Sequence, residues 1–392
     1  MGSPLEGIRI MDLSQMLPGP FCTQILGDYG AEIIKVEDIT GDRARRTYPY
    51  VGTQGARYYA VNRNKKSIRI DLRKPEGKEI FKKLASTSDV IVDGFRPGVL
   101  DRLGLSYEVL KQINDRIIYC SINAYGSTGP IKDVPAHDIN ILSLAGITGL
   151  TGSKEGKPAL STLQLAGNIG GSLFATIAIL MALNCRLKTG KGQFCDISMM
   201  DGVISLLAYT LAEWSGTGSI PKMGNGLLTG GFAYFNVYET KDNKHLSIGM
   251  TEAKFWQEFC KRIGKPDYID LQWVPDIQEE LIAGIAGIMK EKTRDEWMDL
   301  FSDSQICITP VLSLDEMCEH PQVVDRDMII RMQDFMKSGK EMLFAGLPIK
   351  FSETPGEIKL NFSEAGEHTA ELLIAAGYSC DELIKLRNDK VI

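Results

Sequence analysis

The 392-residue sequence has only four histidines, and none of its eight cysteines stands in a C-x-x-C pair. With His137, His245, His320 and His368 scattered and no H-x-x-x-H spacing, the pattern argues against a zinc site, and no metal is expected. The cysteines read instead as reduced thiols in apolar surroundings. No G-x-G-x-x-G follows a strand pattern and no G-x-x-x-x-G-K-[ST] occurs, which removes the usual dinucleotide and nucleoside-triphosphate loops. No stretch reaches the roughly 18 uninterrupted apolar residues of a membrane span. The opening "MGSPLEGIRIMDLS" has neither a charged start nor an apolar signal core, so a cytoplasmic protein is expected. Lys and Arg form no block beyond "NRNKKS" and "RARR", and the net charge is −6. Nucleic acid and membrane are therefore not expected as partners.

What is present is the composition of an ordinary globular protein, 44% hydrophobic and 24% charged. A chain of this length exceeds the size at which single cores stop growing, so two domains are expected. Strand-like runs at 8–14, 31–38, 67–72, 89–95 and 117–126 alternate with helical patterns at 18–30 and 75–88. That alternation implies an α/β fold with a parallel, doubly wound sheet. Ligands collect at the carboxyl ends of such strands, which puts "SQMLPGP", "VEDITGDRARR", "DGFRPGV" and "NAYGSTGP" on the binding edge. A long buried helix is expected over 170–193, closed by basic residues and Gly. The Gly-rich run 215–231 reads as a linker or a ligand-facing loop. We therefore expect a large domain over 1–224, a smaller α+β domain over 225–325, and a return to the large domain over 326–392.

Two residues stand out locally. Asn168, in "LQLAGNIGGSL", precedes an apolar helix, where Asn most often serves as an N-cap. The alternative is an active-site position, with Gly170 and Gly171 letting a ligand approach the backbone. His137, in "PAHDINILSLAG", also precedes an apolar stretch, where a cap or a satisfied core histidine is the commoner role.

The segments "DLSQMLPGPFCTQILGDYGAEIIKVE", "NRNKKSIRIDLRKPEGKEIFKKLASTSDVIVDGFRPGVLDRLGL", "KTGKGQFCDISMMDG" and "GEHT" resemble the class III CoA-transferase family, also called CaiB/BaiF, along essentially the whole chain. "AHDIN" is similar to the α-methylacyl-CoA racemase branch. The resemblance implies a Rossmann-like large domain plus a smaller α+β domain, interlocked as a homodimer. It implies a CoA thioester as substrate, with no permanently bound cofactor. It assigns His137 as a catalytic acid/base, Glu252 as a further catalytic residue, and position 168 as the family's catalytic Asp. Gln15, Met16, Leu17 and Pro18, with Arg43, Arg96 and Arg102, match positions near the coenzyme, and Arg is suited to phosphate. Arg45 and Arg46 share the loop of Arg43, and a solvated charge run is the competing reading for all three. Asp38 stands where some transferases carry an Arg.

At 168 this chain has Asn, which offers neither a titratable proton nor a good nucleophile. Three accounts stay open: a substitution that disables the site, a homologue with altered chemistry, or a binder without catalysis. The functional expectation is racemase-type α-proton transfer on a 2-methylacyl-CoA, impaired by Asn168. CoA transfer between carboxylic acids and silent acyl-CoA binding are the alternatives.

Overall fold

The apolar runs of the first 200 residues become strands because they are covered on both faces, as parallel sheets require. The computed structural model describes residues 2–392. The larger of two compact units takes in the chain to Ala145, Thr162–Leu206 and Pro321–Ile392. Its elements begin with β1 (Arg9–Asp12), α1 (Pro18–Asp28), β2 (Glu32–Glu37), β3 (Lys65–Arg69), α2 (Pro75–Ala85) and β4 (Val90–Asp93). They continue with β5 (Ile118–Asn123), α3 (Asp138–Leu144), α4 (Phe174–Thr189), β6 (Phe194–Ser198) and α5 (Met199–Ser205). All six strands pair in parallel, in the order β3-β2-β1-β4-β5-β6. This is the doubly wound arrangement, reversing direction between β1 and β4.

Strand periodicity sorts the core into two layers. Met11, Ile34, Ile68 and Ile91 point to one face, packed with Ile80, Phe81 and Leu84 of α2. Ile10, Ile33, Val90, Val92, Ile118 and Cys120 point to the other, packed with Cys22 and Leu26 of α1 and Ala175, Ile179 and Ala182 of α4. The expected elements are found, with β3 displaced to begin at Lys65. The helix expected over 170–193 starts earlier. Ala166–Leu173 is wound as a π-helix that runs directly into α4, and Gly190, at φ 72°, closes it. The combined run Ala166–Thr189 is long and apolar enough, by length and composition, to cross a membrane, and half of its most apolar window is buried within the unit. Of the eight cysteines, all free, only Cys22, Cys120, Cys260 and Cys318 are buried. Cys195 is half-buried, and Cys185, Cys307 and Cys380 are exposed.

The smaller unit comprises Gly146–Ser161 and Leu207–His320. It contains α6 (Ala208–Thr217), the antiparallel strands β7 (Phe235–Glu239), β8 (His245–Gly249) and β9 (Ile308–Pro310), and the helices α7 (Ala253–Arg262) and α8 (Gln278–Met289). Trp256, Phe259, Ile285 and Trp297 form its core with Leu246 and Ile248. The unit thus starts at Leu207 and takes in Gly146–Ser161, beside the 225–325 expected for a smaller domain. Within it, the Gly-rich run begins at the end of α6 and continues as a mostly exposed loop that packs closely at Gly224, where a Cβ would lie 2.4 Å from the amide of Lys154.

The chain then returns to the larger unit, where α9 (Thr369–Ala375) and α10 (Cys380–Asn388) cover the sheet face of Met11. Leu372, Leu373, Leu383 and Val391 enter that core.

Candidate active site at the sheet switch point

The strand order places the switch point between β1 and β4, where two loops leave the sheet side by side. The turn after β1 holds Ser14, Gln15, Met16, Leu17 and Pro18, and the loop after β4 holds Gly94–Gly98. A Cβ on Gly94 would lie 3.1 Å from Ser14 Cβ, so only glycine lets the loops meet without one of them shifting. Asp12 Oδ1 accepts from the Ser14 amide at 3.0 Å and from its hydroxyl. Burial alone would raise this carboxyl, but Lys65, Lys35 and the hydroxyls of Ser14 and Thr23 hold it well below the usual carboxylate range. Met16 is exposed at the crest of the turn.

The arginines divide. Arg43, Arg96 and Arg102 are exposed and make no ion pair among the described residues. Arg45 is not available. It is buried, paired to Glu37 at 2.6 Å and bonded to Gln54, Tyr58 and the Ser363 carbonyl. The solvated-run reading of this loop is therefore corrected at Arg45. Asp38 is turned back on its own loop, accepting from the amide and hydroxyl of Thr40 at 2.6 Å each.

The second wall is built by α3 and the π-helix. His137 is the N-cap residue of α3, exposed, its backbone N–H donating to Asn140 Oδ1 at 3.0 Å. Asp138 reaches across to the start of the π-helix, where its Oδ1 accepts from the Gly167 amide at 2.9 Å. Burial pushes the Asp138 carboxyl up, against the pull of the Gly167 and Ala166 amides. A carboxylate at a helix N-terminus is suited to the positive end of the dipole.

This arrangement corrects the capping reading of Asn168. Helical backbone already begins at Leu165, the Asn168 amide donates to the Gln164 carbonyl at 2.7 Å, and Asp138 supplies the cap. The half-buried Asn168 side chain makes no hydrogen bond among the described residues. Nor do the glycines around it open the backbone to a ligand. A Cβ on Gly170 would lie 2.2 Å from the Met199 carbonyl oxygen, and one on Gly171 would lie 2.9 Å from Pro18 Cβ. They let α5 and the β1 turn pack against the π-helix. Ser172 Oγ donates to the Pro18 carbonyl at 2.7 Å and locks that contact. A Cβ on Gly167 would sit 3.3 Å from Leu17 and 3.8 Å from Asp138, so the turn, the His137 segment and the Asn168 segment converge at one point.

Glu252 belongs to the smaller unit. It is the exposed N-cap residue of α7, with Thr251 Oγ1 donating to its carboxylate at 2.9 Å. Asp93, which sequence reasoning passed over, closes β4 on the ligand edge. It is buried, accepting from the Phe95 amide at 2.7 Å and the Tyr119 hydroxyl at 3.1 Å. Lys35 and Asp42 were also passed over. The one legible signal was a lysine inside the otherwise apolar "AEIIKVE", since a charge in a central strand is rarely buried without a partner.

A family model described as CoA-transferase family III matches residues 5–369. The chain is 32% identical to an alpha-methylacyl-CoA racemase of Homo sapiens, over 99% of this chain and 97% of that protein. It is 34% identical to an acetyl-CoA:oxalate CoA-transferase of Acetobacter aceti, over 91% of this chain and 93% of that one. Among solved structures, a CAIB/BAIF family protein from Brucella suis superposes with a TM-score of 0.83 at 27% identity, covering 96% of this chain and all of its own. Both racemase and transferases are thus relatives, all enzymes of CoA esters, and the chain belongs to CoA-transferase family III.

Proposed function

We propose that the chain performs racemase-type α-proton transfer on a 2-methylacyl-CoA, with one of its two acid/base positions filled by an amide. The observation that carries this reading is the 2.9 Å hydrogen bond from the Gly167 amide to Asp138. It ties the residue after His137 to the residue before Asn168, next to the turn expected to hold the coenzyme. A thioester acidifies its α-proton, a base removes it from one face, and backbone donors stabilise the enolate-like state. His137 serves that face, because an imidazole nitrogen can take up the α-proton and return it. Inversion needs a second group to return the proton on the other face, and Asn168 carries none. Arg43, Arg96 and Arg102 hold the phosphates, and the CoA thioester enters as substrate.

The half-reaction left to the chain is its test. Each 2-methylacyl-CoA epimer is incubated in D₂O and followed by mass spectrometry and chiral analysis. One epimer is expected to take up deuterium with little inversion, and His137→Ala to abolish the uptake. Asn168→Asp is expected to raise inversion by about 10²–10⁴-fold, the usual worth of a placed acid/base. Uptake that survives His137→Ala removes His137 from the mechanism. No exchange with either epimer, together with CoA transfer between carboxylates by Asn168→Asp, makes the protein a transferase scaffold instead.

In the same reading the enzyme works as a homodimer. What supports this is a stripe of apolar side chains, Leu173, Ile177, Leu180, Met181 and Leu187, left exposed along the π-helix and α4. Stripes of this kind mark protein interfaces.

A further inference from the structure

The turn that leaves β1 holds a conformation its own sequence does not favour. Met16 has φ 69°, in the left-handed region, where a Cβ disfavours the backbone by about five- to thirty-fold in population. Such residues persist where their surroundings over-determine them. Here the surroundings are buried charges. Lys35, 1% exposed, rises from β2, donates to the Ser14 carbonyl at 2.9 Å and pairs with Asp42 Oδ2 at 2.8 Å. Asp42 Oδ1 accepts from the Met16 amide at 3.5 Å and the Ala44 amide at 2.8 Å. Asp42 is itself fixed, its amide donating to Glu37 Oε2 at 2.7 Å. The carbonyl that enters the turn is thus held by one half of an ion pair, and the other half lies at the outer limit of hydrogen-bond reach from the amide at its crest.

We propose that Lys35 and Asp42 are positioning residues that hold Met16 left-handed and so preset the Ser14–Pro18 turn for the acyl-CoA that the proposed function assigns to it. A buried ion pair is a weak device for stability, since apolar replacements of similar volume often match it. Its retention beside a strained turn is accounted for if its work is geometric. The geometry also reaches further than the turn, because Leu17 and Pro18 support Gly167 and Gly171 on either side of Asn168.

The test removes both charges together, as Lys35→Met/Asp42→Asn, which leaves no unpaired ion and keeps an acceptor for Ala44. Hydrogen exchange of the peptide spanning 13–19 is read in the free protein, and acyl-CoA affinity is read by calorimetry. Exchange is expected to quicken, and affinity to fall, by about five- to thirty-fold. Adding Met16→Gly is expected to recover most of the affinity without recovering the thermal midpoint, because glycine adopts positive φ without strain. Adding Met16→Ala is expected to recover neither. Unchanged exchange in the double variant, or equal rescue by alanine and glycine, overturns the proposal. If the double variant does not fold, Asp42→Asn alone is read by the same criteria. If the parent binds no acyl-CoA, the functional reading falls, while the exchange measurement still decides the role of the ion pair.

Discussion

Asp93 shows how strongly one residue at the switch point is shaped by its surroundings. Burial pushes its carboxyl from 3.8 up to about 6, against the Phe95 amide and the Tyr119 hydroxyl, and no cation compensates it. The folded state therefore holds a proton that the unfolded chain has released between pH 4 and 6. Stability falls as pH rises through that window, and the whole penalty is present above about pH 6. An Asn at 93 could accept from the same amide and donate to the same phenol without the charge. From pH 4 to pH 7 the wild type is expected to lose about 2 kcal/mol relative to Asp93→Asn. Urea unfolding of both proteins across that range checks this, and a difference that does not vary with pH would mean the carboxyl is not desolvated as described. The same carboxyl also fixes the loop that carries Arg96, by accepting from the Phe95 amide.

At the scale of elements, the most informative contact is glycine against backbone. Gly170 of the π-helix meets the Met199 carbonyl, and a Cβ on Gly202 of α5 would lie 2.5 Å from Gly170 Cα. Neither neighbour can yield as a flexible side chain would. Gly170→Ala and Gly202→Ala are each expected to lower stability by about 1–3 kcal/mol, the usual range for overpacking. Gly216→Ala in α6, with nothing within 4 Å of its added Cβ, is expected to be neutral or to stabilise by about 0.4–1 kcal/mol. Denaturation midpoints of the three variants separate packing from propensity. The strands and most helices of this architecture could be read from sequence, because runs such as "EIIKVE" and "VIVD" record burial on both faces in their own letters. The π-helix could not, since its winding is set by contacts with α5 and the β1 turn, far away in sequence. For the same reason Asn168 looked like a cap: the true cap, Asp138, lies 29 residues before the amide it serves. Arg45 looked like its neighbours because nothing local distinguishes a buried arginine from an exposed one; Glu37 and Ser363 decide it.

At the scale of the whole molecule, the apolar stripe on α4 is the feature a single chain leaves unexplained. Met181 is 66% and Leu187 84% exposed, so charges placed there disturb no core. Met181→Glu/Leu187→Glu is expected to convert the proposed dimer to monomer with an unchanged circular dichroism spectrum. Sedimentation velocity reads the mass, and a parent that is already monomeric, or a variant that keeps the dimer mass, rejects the stripe as its interface. The path of the chain has a consequence of another kind. Val391 is fully buried in the same core as Met11, and its carbonyl accepts from the Asp71 amide at 2.8 Å. On the ribosome every residue of the smaller unit emerges before Pro321, at a pace of about 5–20 residues per second. The larger unit, begun first, must wait with one face of its sheet covered by α2 but still lacking α9 and α10 until those helices leave the exit tunnel. The nascent chain therefore spends several seconds as a finished insert within an unfinished host, and chaperone demand should fall on the segment made earliest.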